Sequence, residues 1–106
     1  MTKLHDEFTV AVPIEEASSV CRRAISTIGW SIKEARPDRI VPTIGVGLTR
    51  NPSKIEVLLH DAGNRTIIRL NGSIVGIGPL QKGHLSAEMN LLRDEIEVAA
   101  RDEPTP

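Results

Sequence analysis

The sequence predicts an α+β fold in which two helices cover one face of an antiparallel sheet. Five segments have apolar residues at every second position, the period of a strand with one buried face. Two further segments have apolar residues three and four apart, as in an amphipathic helix. The connections are short, which favours antiparallel neighbours. We therefore expect the order strand, helix, four strands, helix, with both helices on one face.

The first strand and the first helix meet at a proline. The strand covers residues 7–12, and Pro13 ends it. The helix covers residues 14–28, and Gly29 follows it where a left-handed C-terminal cap is needed. The apolar positions are Phe8, Val10 and Val12 in the strand and Ala17, Val20, Cys21, Ala24, Ile25 and Ile28 in the helix.

The second and third strands are joined by a turn at residues 36–39, where Pro37 sets the backbone angle of the second position. Trp30 and Ile32 open the second strand, and the third covers residues 40–48. One face of the third strand carries Ile40, Ile44, Val46 and Leu48, and the other carries Val41, Thr43, Gly45 and Gly47. Because the second face carries few side chains, another group can approach the backbone there closely.

A hairpin and a long helix complete the chain. The hairpin pairs residues 54–60 with residues 66–75. After a passage rich in Gly and Pro, we expect the helix to begin at His84 or Leu85 and to end near Ala100. Its main apolar stripe is Leu85, Met89, Leu92, Ile96 and Ala99 or Ala100, and a smaller stripe is Ala87, Leu91 and Val98.

Size and composition are those of one globular domain. The chain has 106 residues, of which 40% are apolar and 25% charged. We expect an ordered core over about residues 6–101 and a frayed tail at residues 102–106. A single cysteine, Cys21, cannot form an intrachain disulfide, and neither a signal peptide nor a membrane-spanning apolar run is recognisable. A cytoplasmic protein without a membrane span is expected.

Charge is distributed unevenly, although the net charge is only -1. Residues 17–83 contain ten Lys or Arg and four Asp or Glu, so this segment is basic and the two flanks are acidic. The acidic last helix could neutralise a more basic sheet. Alternatively, the basic face could meet an anionic partner.

Sequence motifs for catalysis and for metal binding are incomplete. Gly78 and Gly83 have the spacing of a phosphate-binding loop, but His84 and Leu85 stand where that motif needs Lys and Ser or Thr. No two of the three histidines have the spacing of paired ligands on one helix face. We expect no catalytic residues, no metal and no cofactor, and we favour a protein that is not an enzyme while leaving that question open.

Two other kinds of partner to consider are anions and nucleic acids. Lys82, His84 and Ser86 cluster at the predicted helix start, where free backbone N–H groups attract anions, although an ordinary turn explains the same residues. Nucleic acid is disfavoured as a partner, because Phe8 and Trp30 are the only aromatic residues in the sequence and readers of single strands stack bases on aromatic side chains.

Several segments resemble the START and birch-pollen-allergen type of helix-grip superfamily. They are FTVAVPIEEA, NRTIIRLNGSIVGIGPL and the helix that follows. Domains of that type have a proline between the first strand and helix, a similar hairpin, and a Gly-rich turn before a long C-terminal helix. This chain lacks the further helix and two strands that such domains carry after the first helix. It is therefore also similar to the smaller unit of TATA-binding-protein-like folds.

The resemblance implies a site for a small hydrophobic ligand between the sheet and the last helix. The residues that would line it are Trp30, Ile32, Ile44, Val46, Val57, Leu59, Ile68, Leu70, Met89, Leu92 and Ile96. The alternative, which the short chain favours, is that the same residues form an ordinary packed core.

Three functions follow as hypotheses. The first is a non-enzymatic interaction module that forms a homodimer, motivated by the glycine-rich strand face and the smaller stripe of the last helix. The second is a carrier or sensor of a small hydrophobic ligand. The third is an enzyme similar to the cyclases and hydratases of the superfamily, which would need polar groups in the ligand space.

Overall fold

A computed structural model of the chain describes residues 1–44, 53–76 and 78–102. The elements are β1 (Thr2–Val10), α1 (Ile14–Ile28), β2 (Ser31–Arg36), β3 (Arg39–Thr43), β4 (Ser53–Asp61), β5 (Thr66–Ile74) and α2 (Pro79–Arg101). This is the predicted order of strand, helix, four strands and helix, so the predicted α+β class is confirmed.

Among the described residues, the sheet has five strands in the order β1-β5-β4-β3-β2, and each neighbouring pair is antiparallel. The predicted hairpin of β4 and β5 forms the centre, with Val57 opposite Leu70. On its other side β5 pairs with β1, where Ile68 lies opposite Phe8. β2 is an edge strand, and its pairing with β3 shifts register between Ile32 and Glu34.

Both helices lie on one face of the sheet, and the core is the layer between them and the strands. The helices bury Ala17, Val20, Cys21, Ala24 and Ile25 from α1 and Leu85, Met89, Leu92 and Ile96 from α2. The central strands contribute Ile55, Val57, Leu59, Ile68, Leu70 and Ile74. Each large apolar side chain that is fully buried stabilises the fold by roughly 1.5–3 kcal/mol.

β1 is longer at its start than predicted, since it begins at Thr2 rather than at residue 7. The sequence concealed this extension because Thr2 and Asp6 are polar residues on the strand face where apolar ones were expected. At its other end, β1 stops at Val10 although Val12 remains buried. The Thr66 hydroxyl donates a buried hydrogen bond of 2.8 Å to the Val12 carbonyl, which holds this segment against β5 after it has left the ladder.

α2 begins at Pro79, five residues before the earlier of its two predicted starting points. Gly78 occupies the N-cap position, and Pro79 follows at the first helical position. Proline suits that position because its backbone angle is already helical and its missing N–H would have no partner there. Residues 79–83, which were predicted to lie in a turn before the helix, therefore belong to the helix itself.

Some predictions fall on residues that the structure does not describe. The third strand is seen as far as Thr43, and its predicted continuation with Gly45, Val46 and Gly47 lies outside the described residues. The same is true of the tail from residue 103 onwards. Within the described ranges, no helix has the length and apolar character needed to cross a membrane.

Candidate functional site

The space between the sheet and α2 is closed where the helix crosses β5. A Cβ atom built on Gly72 would lie 2.6 Å from the Met89 Sδ atom and 2.9 Å from the Leu85 Cδ1 atom. Such distances are shorter than van der Waals contact, so α2 rests directly on the backbone of β5. The absence of a side chain at Gly72 permits this approach.

The residues predicted to line a ligand space form part of the packed core. Eight of the eleven are buried in one continuous cluster: Ile44, Val57, Leu59, Ile68, Leu70, Met89, Leu92 and Ile96. Trp30 is half-buried and packs against this cluster. Ile32 is 39% exposed on the edge strand, and Val46 lies outside the described residues. The arrangement fits the alternative in which these side chains serve as core.

The residues of the predicted anion site do not lie at the start of a helix, which was the basis of that prediction. Lys82, His84 and Ser86 lie within α2 rather than at its start, because the helix begins at Pro79. The Lys82 backbone N–H already donates to the Gly78 carbonyl at 3.2 Å. The free N–H groups that attract anions belong to the residues before it.

The open face of the sheet carries a row of hydrogen-bonded polar side chains that crosses all five strands. His5 Nδ1 lies 2.8 Å from Asn71 Oδ1, and Asn71 Nδ2 donates to Glu56 Oε1 at 3.3 Å. The Arg39 Nε group donates to Glu56 Oε2 at 2.7 Å, and Arg39 also forms an ion pair with Glu34. We call these five residues the polar row.

Each side chain of the polar row forms a hydrogen bond or an ion pair with a neighbour in the row. The Arg39 guanidinium beside Glu56 holds the pKa of that carboxyl below its usual range. Because each side chain comes from a different strand, the row favours one register of the sheet. Strand periodicity placed Glu56 and Asn71 on this face, but it could not show which residues would be neighbours across strands.

Arg93 connects α2 to the edge strand β1. Its Nη1 group donates to both carboxylate oxygens of Asp6, at 2.9 and 3.0 Å, and its Nε group donates to Glu97 at 2.7 Å. The guanidinium carbon lies 4.9 Å from the centre of the Phe8 ring. Hydrogen bonds to Glu97 and Asp6 raise the pKa of Arg93. These contacts join α2 to β1 beside its buried apolar stripe of Leu85, Met89, Leu92 and Ile96.

The outward side of α2 carries an apolar line, which we call the outer stripe. It consists of Leu80, Ala87, Leu91 and Val98. Leu80 is 68% exposed, Leu91 49% and Val98 41%. Intervals of seven, four and seven residues bring all four side chains to nearly the same angle around a helix of 3.6 residues per turn. The smaller stripe predicted from the sequence lacked Leu80, because the helix was expected to begin after that residue.

The potential metal ligands and the one cysteine can be assessed from the described part of the chain. In residues 1–44, 53–76 and 78–102, no three His, Cys, Asp or Glu side chains are close enough to hold a metal ion. Cys21 is fully buried, and burial raises the pKa of its thiol to about 12. The thiolate that would act as nucleophile or ligand is thus disfavoured at neutral pH.

The sequence matches no protein-family model and no curated protein. The fold is shared with solved structures of low sequence identity. The Aha1 dimer from Colwellia psychrerythraea matches with a TM-score of 0.71 and 8% identity, over 94% of this chain and 96% of that one. CalU16 from Micromonospora echinospora matches at 0.68 and 13%, over 94% of this chain and 76% of that one.

Ara h 8.0201 matches with a TM-score of 0.61 and 10% identity, over 96% of this chain and 99% of that one. Identities this low establish the fold and leave function open. In this chain β2 follows α1 directly, without the further helix and two strands found in larger domains of the type. The protein therefore has the START and birch-pollen-allergen type of helix-grip fold, in a short version.

Proposed function

We propose that this protein is a non-enzymatic binding module that self-associates through the outer stripe of α2. The observation that carries the proposal is the exposure of Leu80, Leu91 and Val98 in one line along a helix. Single exposed apolar residues are ordinary on protein surfaces, whereas several that are aligned on one side of a helix favour a site of interaction. A helix face of this kind is suited to bind another helix.

The alternatives have less support from the same structure. A carrier of a hydrophobic ligand needs open space between the sheet and α2, and the contact of Met89 with Gly72 occupies it at the crossing point. A cyclase-like enzyme needs polar groups inside that space, where the buried side chains are mostly apolar. Self-association is also consistent with the description of one protein of this fold, the Aha1 protein, as a dimer.

The expected association is weak and reversible. Burial of one large apolar side chain contributes roughly 1.5–3 kcal/mol. Association itself costs about 4–15 kcal/mol of lost translational and rotational freedom. A contact between two single helices lies at the small end of specific interfaces. Because these opposing contributions nearly cancel, we expect a dissociation constant no tighter than about 1 μM, which corresponds to about -8 kcal/mol.

Sedimentation equilibrium across low to high micromolar concentrations tests the proposal. The wild-type protein should shift from monomer to dimer, and Leu91→Glu should remain monomeric because it puts a charge in the middle of the outer stripe. The matched control is Ile32→Glu, which adds the same charge at an exposed apolar residue on β2. This control should dimerise as the wild type does, provided that circular dichroism shows both variants folded.

Two results would contradict the proposal. One is a wild-type protein that stays monomeric throughout the concentration range. The other is a dimer that Ile32→Glu disrupts and Leu91→Glu leaves intact, because this would place the interface on the edge of the sheet.

A further inference from the structure

The outer stripe is symmetric about the level of residue 89. Leu80 and Val98 are each nine residues away from it, and Ala87 and Leu91 are each two residues away. In an antiparallel helix pair with its two-fold axis at that level, each residue lies opposite the one that is equally distant on the other side. Leu80 would meet Val98 of the second copy, and Ala87 would meet Leu91.

The polar residues on the same side of the helix obey the same symmetry. His84 and Asp94 are each five residues from residue 89, so an imidazole in one copy would lie opposite a carboxylate in the other. His84 is half-buried and Asp94 is exposed on the outward side. An imidazole N–H donates to a carboxylate, so this contact is favourable.

We infer that two copies of this protein pair α2 against α2 in antiparallel orientation, with His84 of one copy opposite Asp94 of the other. The inference rests on the proposed self-association and specifies its partner and register. The positions involved are 80, 84, 87, 91, 94 and 98, which alternate in steps of four and three. This is the spacing at which two helices interlock along a common seam.

Charge selects the antiparallel over the parallel arrangement. In a parallel pair, Asp94 would lie opposite Asp94 and His84 opposite His84, so that two carboxylates would repel each other. In the antiparallel pair, the His84 imidazole of each copy instead lies opposite the Asp94 carboxylate of the other, so a hydrogen-bond donor meets an acceptor. It also places Glu95 opposite Gly83, where there is open space around the missing side chain and no second carboxylate.

Disulfide mapping distinguishes the two orientations. The variants are Leu80→Cys and Val98→Cys, and each is oxidised alone and in an equimolar mixture. In the antiparallel pair, Leu80 of one copy adjoins Val98 of the other, whereas the two copies of Leu80 are roughly 27 Å apart at 1.5 Å per residue. A disulfide requires Cα atoms within about 7 Å. The native Cys21 is fully buried and does not compete.

The mixture should give a covalent dimer in at least tenfold excess over either variant alone. Efficient crosslinking of each variant by itself would overturn the inference in favour of a parallel pair. A protein that sediments as a dimer but forms no disulfide, in the mixture or with either variant alone, would refute this register while leaving self-association intact. A protein that sediments as a monomer would remove the proposed function together with the inference.

A charge exchange gives an independent readout. Asp94→Lys should weaken the dimer at least tenfold, because Lys would face His84, and the double variant His84→Glu with Asp94→Lys should restore it by pairing Glu with Lys. In a parallel dimer the double variant would place Glu opposite Glu and Lys opposite Lys. Failure of the double variant to recover affinity above that of Asp94→Lys would contradict the inferred pairing.

Discussion

Met89 occupies the place that a side chain on residue 72 would take: its Sδ atom lies 2.6 Å from the position of a Cβ atom built on Gly72. Gly72 is a residue of β5, the strand between β1 and β4. Its lack of a side chain lets α2 pack onto the middle of the sheet. The crossing brings helix and sheet into direct contact in the region that the helix-grip resemblance assigns to a ligand. It also provides the first of four predictions.

Gly72→Ala should destabilise the fold by about 1–3 kcal/mol, because the new methyl group forces Met89 and Leu85 out of their packed positions. Urea unfolding monitored by circular dichroism measures this change. The matched control is Gly83→Ala in α2, where a new Cβ atom meets nothing within 4 Å. Since alanine favours a helix, the control should stabilise the protein by about 0.5–1 kcal/mol. Equal effects of the two substitutions would refute the close crossing.

Asp6→Asn should destabilise the fold by about 0.5–1.5 kcal/mol, because it weakens the two charge-assisted bonds from Arg93 that hold α2 to β1. The comparison is Glu7→Gln, which alters the more exposed pair with Arg69 on the open face. Exposed ion pairs contribute little, so this variant should unfold close to the wild type. Thermal unfolding at low and high salt would test both, and a larger loss for Glu7→Gln would contradict the role assigned to Arg93.

Glu56→Gln should change how stability depends on pH. The folded protein holds the pKa of Glu56 below its ordinary value of 4.5, so the unfolded state takes up the proton first as the solution is acidified. The stabilisation is thus fully present above pH 4.5 and is lost as the pH falls through the lower, folded value. We expect the wild type to exceed the variant by about 1 kcal/mol at pH 7 and by nothing at strongly acidic pH. A gap in urea stability that is constant across this range would count against the bond to Arg39.

Cys21 should react with iodoacetamide no faster than the protein unfolds. Burial raises the pKa of its thiol to about 12, so the folded protein offers neither access nor thiolate. Mass spectrometry should show labelling that rises with urea along the unfolding transition. Ser26→Cys, which places a thiol on the exposed side of the same helix, should be labelled at once in the folded protein. Rapid labelling of Cys21 in the folded wild type would show that α1 does not bury it.

Two element boundaries were predicted wrongly from the sequence, and each error has a physical cause. The start of α2 was predicted five residues late because Gly78 and Pro79 were interpreted as a turn, although together they cap and begin the helix. The start of β1 was missed because Asp6 is a polar residue facing α2, and its partner Arg93 is 87 residues away in the chain. Local periodicity carries no information about a partner at that separation.

By itself, the sequence determined the class of the fold, the order of its elements, the buried face of α1 and the apolar stripes of α2. These features depend on periodicity and on caps, which act within a few residues of one another. The tertiary structure alone decided that α2 rests on Gly72, that five strands join in one polar row and that Leu80 extends the outer stripe. Each of these depends on contacts between distant segments, because register and close approach are set when the elements pack together.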